Sequence, residues 1–510
     1  MEEESIKLNE NPVKHEFEAE EIQNENKKTF NWAEFLACVS VATTNLHTGF
    51  ALGFSAILLP QLEKYNDEMG KISDSQSSWI ASSISIAAPF GCLFIAFTLD
   101  RIGRISTFKI SLWPCFIGWM LIALAFNPKI IIIGRLLTGF AMSVGTNSAN
   151  VYMAEISSPK LRGSMMSIGS VMLSFGILLM YCTGLYLHWR IVAWIAFVGA
   201  FFPVLMTVFW TPESPVWLIH KGQDVKALKS LAYLKNSKYC AGAVQETFNE
   251  MKIIKEKKDL LINKEMEKSN VFRRVAWLLS KPTVFKPALF MIVFFVLQQF
   301  TGIYTFQFHA VKMLQEVAQG IDIKFATLLF GLFRFLLSFV ATGMLHNYGR
   351  RPLCMISGII MGITLFISGL CFCLRTNGDE SIIMTWISLL CMLLYISAGS
   401  VGIMLIPWIL PSEMFPTEVK GLLIGPIMAW CNAVMFVAVH FYEDLKRILG
   451  GMLGILWFYS FISILSVFFV WVFIPETHKM KLFEIEDYFK DNTIFLLRKK
   501  KTVKNEQLCI

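Results

Sequence analysis

The sequence predicts an all-α membrane protein, with twelve transmembrane helices in two six-helix bundles and a cytoplasmic helical bridge between them. Composition is the first reason: a chain of 510 residues that is 55% hydrophobic and only 16% charged, with mean hydropathy +0.54, holds more apolar surface than a soluble core can hide. The second is length. Apolar runs of roughly 20 residues, enough for a helix to cross about 30 Å of hydrocarbon, occur six times before and six times after one long polar stretch. That stretch, from Thr211 to Thr283, is the third reason: it opens on Pro212-Glu213-Ser214-Pro215, continues as lysine-rich amphipathic segments and reaches Arg273-Arg274 without a run able to span a bilayer.

In chain order, residues 1–31 are acidic and polar and lack the charged-then-apolar pattern of a signal peptide, which places the N-terminus in the cytosol. The first bundle occupies 32–210, with spans near 32–59, 78–99, 106–126, 129–154, 163–187 and 189–210. The bridge is 211–283. Within it Val225, Leu228, Leu231 and Ala232, then Val244, Phe248 and Met251, have the spacing of amphipathic helices with one apolar face. The second bundle occupies 284–474, with spans near 284–313, 323–346, 353–374, 382–411, 421–440 and 450–474, and 475–510 form a C-terminal tail. Twelve crossings return the C-terminus to the side of the N-terminus.

Lysine and arginine set the orientation. Arg101, Arg104 and Lys109, Lys160 and Arg162, the bridge, Arg350 and Arg351, and the run Arg498 to Lys501 all fall on one side, which is therefore cytoplasmic. The net charge of +8 is accounted for by these loops and is no sign of nucleic-acid binding. The eleven cysteines lie mostly inside spans, as at Cys92, Cys115, Cys354 and Cys391, where cysteine acts as a small hydrophobe. Neither a metal-ligand pair nor a nucleophile elbow nor a phosphate loop is present, so no enzyme, metal or cofactor is expected.

The halves repeat. Arg101-Ile102-Gly103-Arg104 returns as Asn347-Tyr348-Gly349-Arg350, Glu155 with Arg162-Gly163 returns as Glu413 with Lys420-Gly421, and Pro212-Glu213-Ser214 returns as Pro475-Glu476-Thr477, at offsets of 246, 258 and 263 residues. Carboxylates and arginines at corresponding ends of two bundles are expected to pair across the gap between them, forming when that face closes and breaking when it opens, as alternating access requires.

Together with Gly134-Arg135, Tyr152-Met153-Ala154-Glu155, Val216-Trp217-Leu218, Gln298-Gln299-Phe300-Thr301-Gly302 and Ile406-Pro407-Trp408, these motifs resemble the sugar porter family of the major facilitator superfamily, from about residue 32 to 480. Ser78-Trp79-Ile80 and the short first outer loop look most like the facilitated trehalose transporter-like proteins of insects. The resemblance implies the major facilitator fold, a plasma-membrane protein with both termini cytoplasmic, and a sugar or other small polar solute as partner. It also implies a gating charge network of Asp100, Arg104, Arg135, Glu155, Arg162, Glu213, Arg350, Arg351, Glu413, Lys420 and Glu476. Gln298 and Gln299 match a glutamine pair that hydrogen-bonds sugar hydroxyls, and Trp408 matches the aromatic on which the ring packs.

Four substrate-contact positions depart from the family. Ser170 stands in place of a glutamine, and Tyr304, Arg334 and Cys431 stand in place of asparagines. The first span carries Gly49-Phe50-Ala51 where proton-coupled relatives have an aspartate in the third place, so facilitated uniport is expected, with His47 the only nearby group that titrates near neutrality. Two alternatives stay open: a sensor that kept the fold and transports poorly, and a carrier for an anionic solute read by Arg334. An arginine in the middle of an apolar span costs several kcal/mol unless it meets water, a partner or a ligand. Tyr304 and His309 are its expected neighbours.

Overall fold

The computed structural model describes residues 32–64, 70, 72–157, 162–236, 242–266, 280–376, 382–416, 419–478, 480, 485 and 489. Among them twelve helices are long and apolar enough to cross a membrane: Trp32–Glu63, Asp74–Ile102, Arg104–Ala123, Pro128–Ile156, Met165–Gly184, Trp189–Thr207, Pro282–Phe300, Ile323–Leu345, Arg350–Arg375, Ile382–Met414, Leu423–His440 and Met452–Phe473, here spans 1 to 12. The chain is a multi-pass membrane protein. Lipid offers no hydrogen bonds, so each span satisfies its backbone within itself as a helix.

The packing of the spans repeats as the motifs do. In the first half span 1 packs on span 5, span 2 on span 4, and span 3 on spans 4 and 6. In the second half span 7 packs on span 11, span 8 on span 10, and span 9 on spans 10 and 12, the same set displaced by six. The halves meet along span 2 against span 11 and span 5 against span 8, contacts that exchange under that displacement. Sequence repetition has therefore become a pseudo-two-fold axis between the halves.

Spans 7 and 10 are not continuous. Span 7 stops at Phe300, turns at Thr301 and Gly302, resumes as Ile303–Phe308 and again as Ala310–Val317. Gly302 has φ +81°, a conformation that disfavours any residue with a Cβ, and a Cβ there would enter the ring of Tyr459. The Tyr395 hydroxyl donates to the freed carbonyl of Thr301 at 2.9 Å. Span 10 runs Ile382–Val401, loses its helix over 402–405 and resumes as Ile406–Met414, with Pro407 in its first turn. Its open turn is paired from outside: the Ile403 amide donates to Ser357 Oγ at 3.2 Å. Irregular backbone at membrane depth survives only where protein groups re-satisfy it in this way.

The described part of the bridge forms the helices Pro215–His220, Asp224–Leu234 and Gly242–Met266. Leu218, Ile219, Leu231, Ala232, Val244 and Phe248 bury one another, with Leu228 and Met251 against them. Val225 departs from expectation and is 60% exposed. The stripe of its helix runs instead through Ala227, Ser230, Leu231 and Leu234, about 160° from Val225 at 3.6 residues per turn. Arg273 and Arg274 lie outside the described residues.

Candidate functional site

The repeated motifs fold into two matching clasps, one in each half and on the same face. In the first, Arg104 Nη2 donates to Glu155 Oε1 at 2.7 Å, Nη1 to the Leu99 carbonyl at 3.0 Å and to Asp100 at 3.3 Å. Glu213 accepts the backbone amides of Arg104 and Ile105 at 3.0 and 3.2 Å, and Ser214 Oγ donates to Glu155. In the second, Arg350 Nη2 donates to Glu413 at 3.0 Å and Nη1 to the Leu345 carbonyl at 2.9 Å. Glu476 accepts the amides of Arg350 and Arg351 at 2.9 and 3.2 Å, and Thr477 Oγ1 donates to Glu413 at 2.5 Å. In each clasp one carboxylate sits on the N-terminal amides of a span, where the helix dipole favours an anion. Gly103, at φ +104°, and Gly349 leave room for it, because a Cβ at either would strike Glu213 or Glu476.

In this structure the described ion pairs of this network lie within each half. Two expectations change here. Arg135 is not part of the clasps: it is 1% exposed, two turns into span 4 at its other end, and its Nη2 donates to Ser55 Oγ and to the Ala81 carbonyl at 3.2 Å. Arg351 donates to the Trp471 carbonyl instead of a carboxylate. The side chains of Arg162 and Lys420 lie outside the described residues.

On the opposite face the contacts do cross between halves. Glu63, ending span 1, pairs with Lys312 of the last segment of span 7 at 2.5 Å, and Asp74, opening span 2, meets Arg447 after span 11 at 3.5 Å. Ser82 Oγ and His440 Nδ1 lie 3.0 Å apart, and His440 packs beside Trp79 with centroids 4.8 Å apart. Ser82 already donates to the Ser78 carbonyl at 2.8 Å, so it accepts from His440. That face is closed in this structure.

Between the two faces, the twin helix breaks bring the expected substrate residues together, and they divide the glutamine pair. Gln298 Nε2 donates to the carbonyls of Ile403 and Met404 at 2.7 and 3.1 Å, which commits it to the open turn of span 10. Gln299 Nε2 donates to Cys431 Sγ at 3.3 Å and to Gln298 Oε1 at 3.4 Å, while Gln299 Oε1 is buried without a partner among the described residues. Trp408 Nε1 donates to the Tyr304 hydroxyl at 2.8 Å, and Phe295 meets the Trp408 ring edge-on at 5.8 Å. Ser170 donates to its own helix, at the Ser167 carbonyl, 2.8 Å away. Arg334 is 1% exposed and donates Nη1 to Met404 Sδ at 3.4 Å. His309 does not serve it, and stacks on Tyr442 at 4.8 Å instead.

The sequence reading missed Gln307, Met404 and Asn432. Gln307 is fully buried and donates Nε2 to Met404 Sδ at 3.2 Å. Asn432, next to Cys431, donates to the Met428 carbonyl at 2.8 Å. The signal that singled out Gln298 and Gln299, an amide inside an apolar run, applies equally to Gln307. His47 sits apart from this cluster, inside the first half, where its Nδ1 accepts from Trp119 Nε1 at 3.2 Å beside a cavity of about 10 Å³ lined by Thr44, Ser111 and Cys115. That volume suits one water molecule at most.

Comparison with known proteins places this geometry. The profile of the sugar (and other) transporter family matches residues 37–489. A facilitated trehalose transporter homologue of Drosophila sechellia is 28% identical over 462 residues, covering 90% of this chain and 91% of that one. The facilitated trehalose transporter of Aedes aegypti is 27% identical over 459 residues, 90% of this chain but 55% of that longer protein. Among solved structures, the proton:xylose symporter XylE bound to 6-bromo-6-deoxy-D-glucose superposes with TM-score 0.70 at 21% identity, over 90% of this chain and all of that one.

Proposed function

The chain belongs to the sugar (and other) transporter family, and from that premise we propose that it carries trehalose or a hexose-like sugar by alternating access, as a facilitated uniporter. Its relatives are named as transporters, and it is a transporter and not an enzyme. One observation carries the substrate reading: at the twin breaks of spans 7 and 10, Gln299 is held by Cys431 with its buried Oε1 unpartnered among the described residues, and Trp408 and Tyr304 are bonded to each other. An apolar wall with a few aimed polar groups is the chemistry a polyol requires. Cys431 and Tyr304 join that wall, and Gln298 holds its backbone in place.

The clasp face is the cytoplasmic one in this reading, because the arginines and lysines gather there, and both chain termini share it in the plasma membrane. Spans 1–6 and 7–12 act as the two rocking bodies. The bridge helices rest against the first clasp: Trp217 Nε1 donates to the Asp100 carbonyl at 3.1 Å and Ser230 Oγ to the Glu213 carbonyl at 2.6 Å. Asp100, Arg104, Glu155 and Glu213, with Arg350, Glu413 and Glu476, stiffen each body so that it moves as a unit. Arg351 adds positive charge at that surface.

Uniport follows from the first span. Ala51 cannot hold a proton, and His47 is turned into the interior of its own half against Cys115 and Trp119. The sensing alternative is not favoured by the named relatives. Uptake of labelled trehalose and glucose into proteoliposomes, with and without an imposed proton gradient, tests the proposal. Saturable uptake that equilibrates and does not concentrate under the gradient supports it, and absence of uptake of every sugar overturns it.

A further inference from the structure

The geometry points to Gln307, Arg334 and Met404 as a second hydroxyl-reading cluster, which together with Gln299 selects a neutral polyhydroxylated ring over an anion. The inference deepens the sugar-transport reading and rests on it. Gln307 stands on the short helix between the two interruptions of span 7, and Arg334 in the middle of span 8. Both aim a nitrogen at one atom, Met404 Sδ, at 3.2 and 3.4 Å. Gln307 Oε1, Gln299 Oε1 and Arg334 Nε are buried with no partner among the described residues.

A thioether is a weak acceptor. Serving an amide and a guanidinium at once, it satisfies a small part of their hydrogen-bonding capacity, and buried polar groups left unpaired are unfavourable. A sugar hydroxyl oxygen in place of that sulfur would accept from Arg334 and Gln307, and a neighbouring hydroxyl would donate to Gln307 Oε1. An anion could only accept, and would lie against the Gln307 amide oxygen. The mixture of unmet donors and unmet acceptors therefore matches hydroxyl groups, although Arg334 alone would suggest a carboxylate.

Met404 is placed to yield. It lies in the non-helical turn of span 10, and an unbranched side chain with three rotatable bonds can swing aside where a branched one could not. The Gln298 amide holds the backbone carbonyl of Met404, so the side chain can leave without the turn moving. The other half reaches the cluster through Tyr181 of span 5, whose ring packs beside Phe330, one turn before Arg334, and whose buried hydroxyl has no partner among the described residues. Substrate held there would touch both halves, which couples its binding to their rocking.

The test uses the full chain in proteoliposomes with trehalose, glucose and glucuronate, and reads KM and maximal rate separately. Gln307→Leu and Arg334→Gln are expected to raise KM for the neutral sugars about tenfold, the effect of losing one hydrogen bond in a buried site, with little change in maximal rate. Met404→Ala removes both the competing acceptor and the side chain that must swing aside, so it is expected to lower KM several-fold, a gain that misfolding cannot imitate. Unchanged KM in Gln307→Leu and Met404→Ala, or preferred uptake of glucuronate by the parent protein, overturns the cluster while leaving sugar transport standing. Absence of any sugar uptake by the parent protein removes both.

Discussion

The pair Glu63–Lys312 ties span 1 to the last segment of span 7 across the halves, and reversing it should unbalance the carrier. Its atoms are 2.5 Å apart with side chains 55% and 21% exposed, in contrast to Asp74–Arg447 at 3.5 Å and 89% and 65%. Solvent-exposed pairs contribute about 0.2–1 kcal/mol, so the first belongs near the top of that range and the second near the bottom. Roughly 1 kcal/mol toward closure of that face corresponds to about a fivefold bias in the conformational ratio. Glu63→Lys places two lysines together and should remove that bias, so the ratio of KM for entry to KM for exit should shift by about fivefold. The exchange Glu63→Lys with Lys312→Glu should restore it, and high salt should shrink the difference, as screening of partly exposed charges requires. A reversal that leaves the ratio unchanged, or an exchange that fails to restore it, refutes the assignment of a latch to this pair.

Three further outcomes are expected. Glu155→Gln leaves Arg104, with a side chain 10% exposed, facing a neutral amide, and should lower thermal stability by about 1–3 kcal/mol, with Glu413→Gln equivalent and the two effects additive because the clasps share no partner; strong non-additivity in differential scanning fluorimetry would show the clasps to be joined. Gly302→Ala should reduce the yield of monodisperse protein in size-exclusion chromatography, since the position combines φ +81° with a ring in the way; normal yield and uptake would mean that the break relaxes freely. His47→Gln should leave sugar uptake intact, and addition of sugar to the parent protein should not alkalinise the medium; alkalinisation lost in the variant would make His47 a coupling site.

Much of this architecture is legible in the chain because lipid enforces a simple rule: a span needs roughly 20 apolar residues, and nothing in the core of a soluble protein demands such runs. The clasps are legible for a different reason. Arg104 with Glu155 and Glu213, and Arg350 with Glu413 and Glu476, recur in order, and two copies of a local geometry constrain each other. Gly134-Arg135 joins the clasps only through the family resemblance; depth along span 4 decides its partners, and as the eighth residue of Pro128–Ile156 Arg135 meets Ser55. The division of labour between Gln298 and Gln299 depends on the open turn of span 10, more than 100 residues away, which no spacing in span 7 could disclose.

In this structure Arg104–Glu155 and Arg350–Glu413 each join groups of one half, so as arranged here they favour neither orientation; a ligand or contact shifts an equilibrium only by its differential interaction with the two states. The bias comes from contacts that cross, and on the face opposite the clasps these include Glu63–Lys312, Asp74–Arg447 and the Ser82–His440 bond beside Trp79. The two ion pairs are partly exposed and of modest strength. A uniporter needs both orientations populated to turn over without an energy source, and a latch of about 1 kcal/mol biases a face toward closure about fivefold while leaving it free to reopen on every cycle.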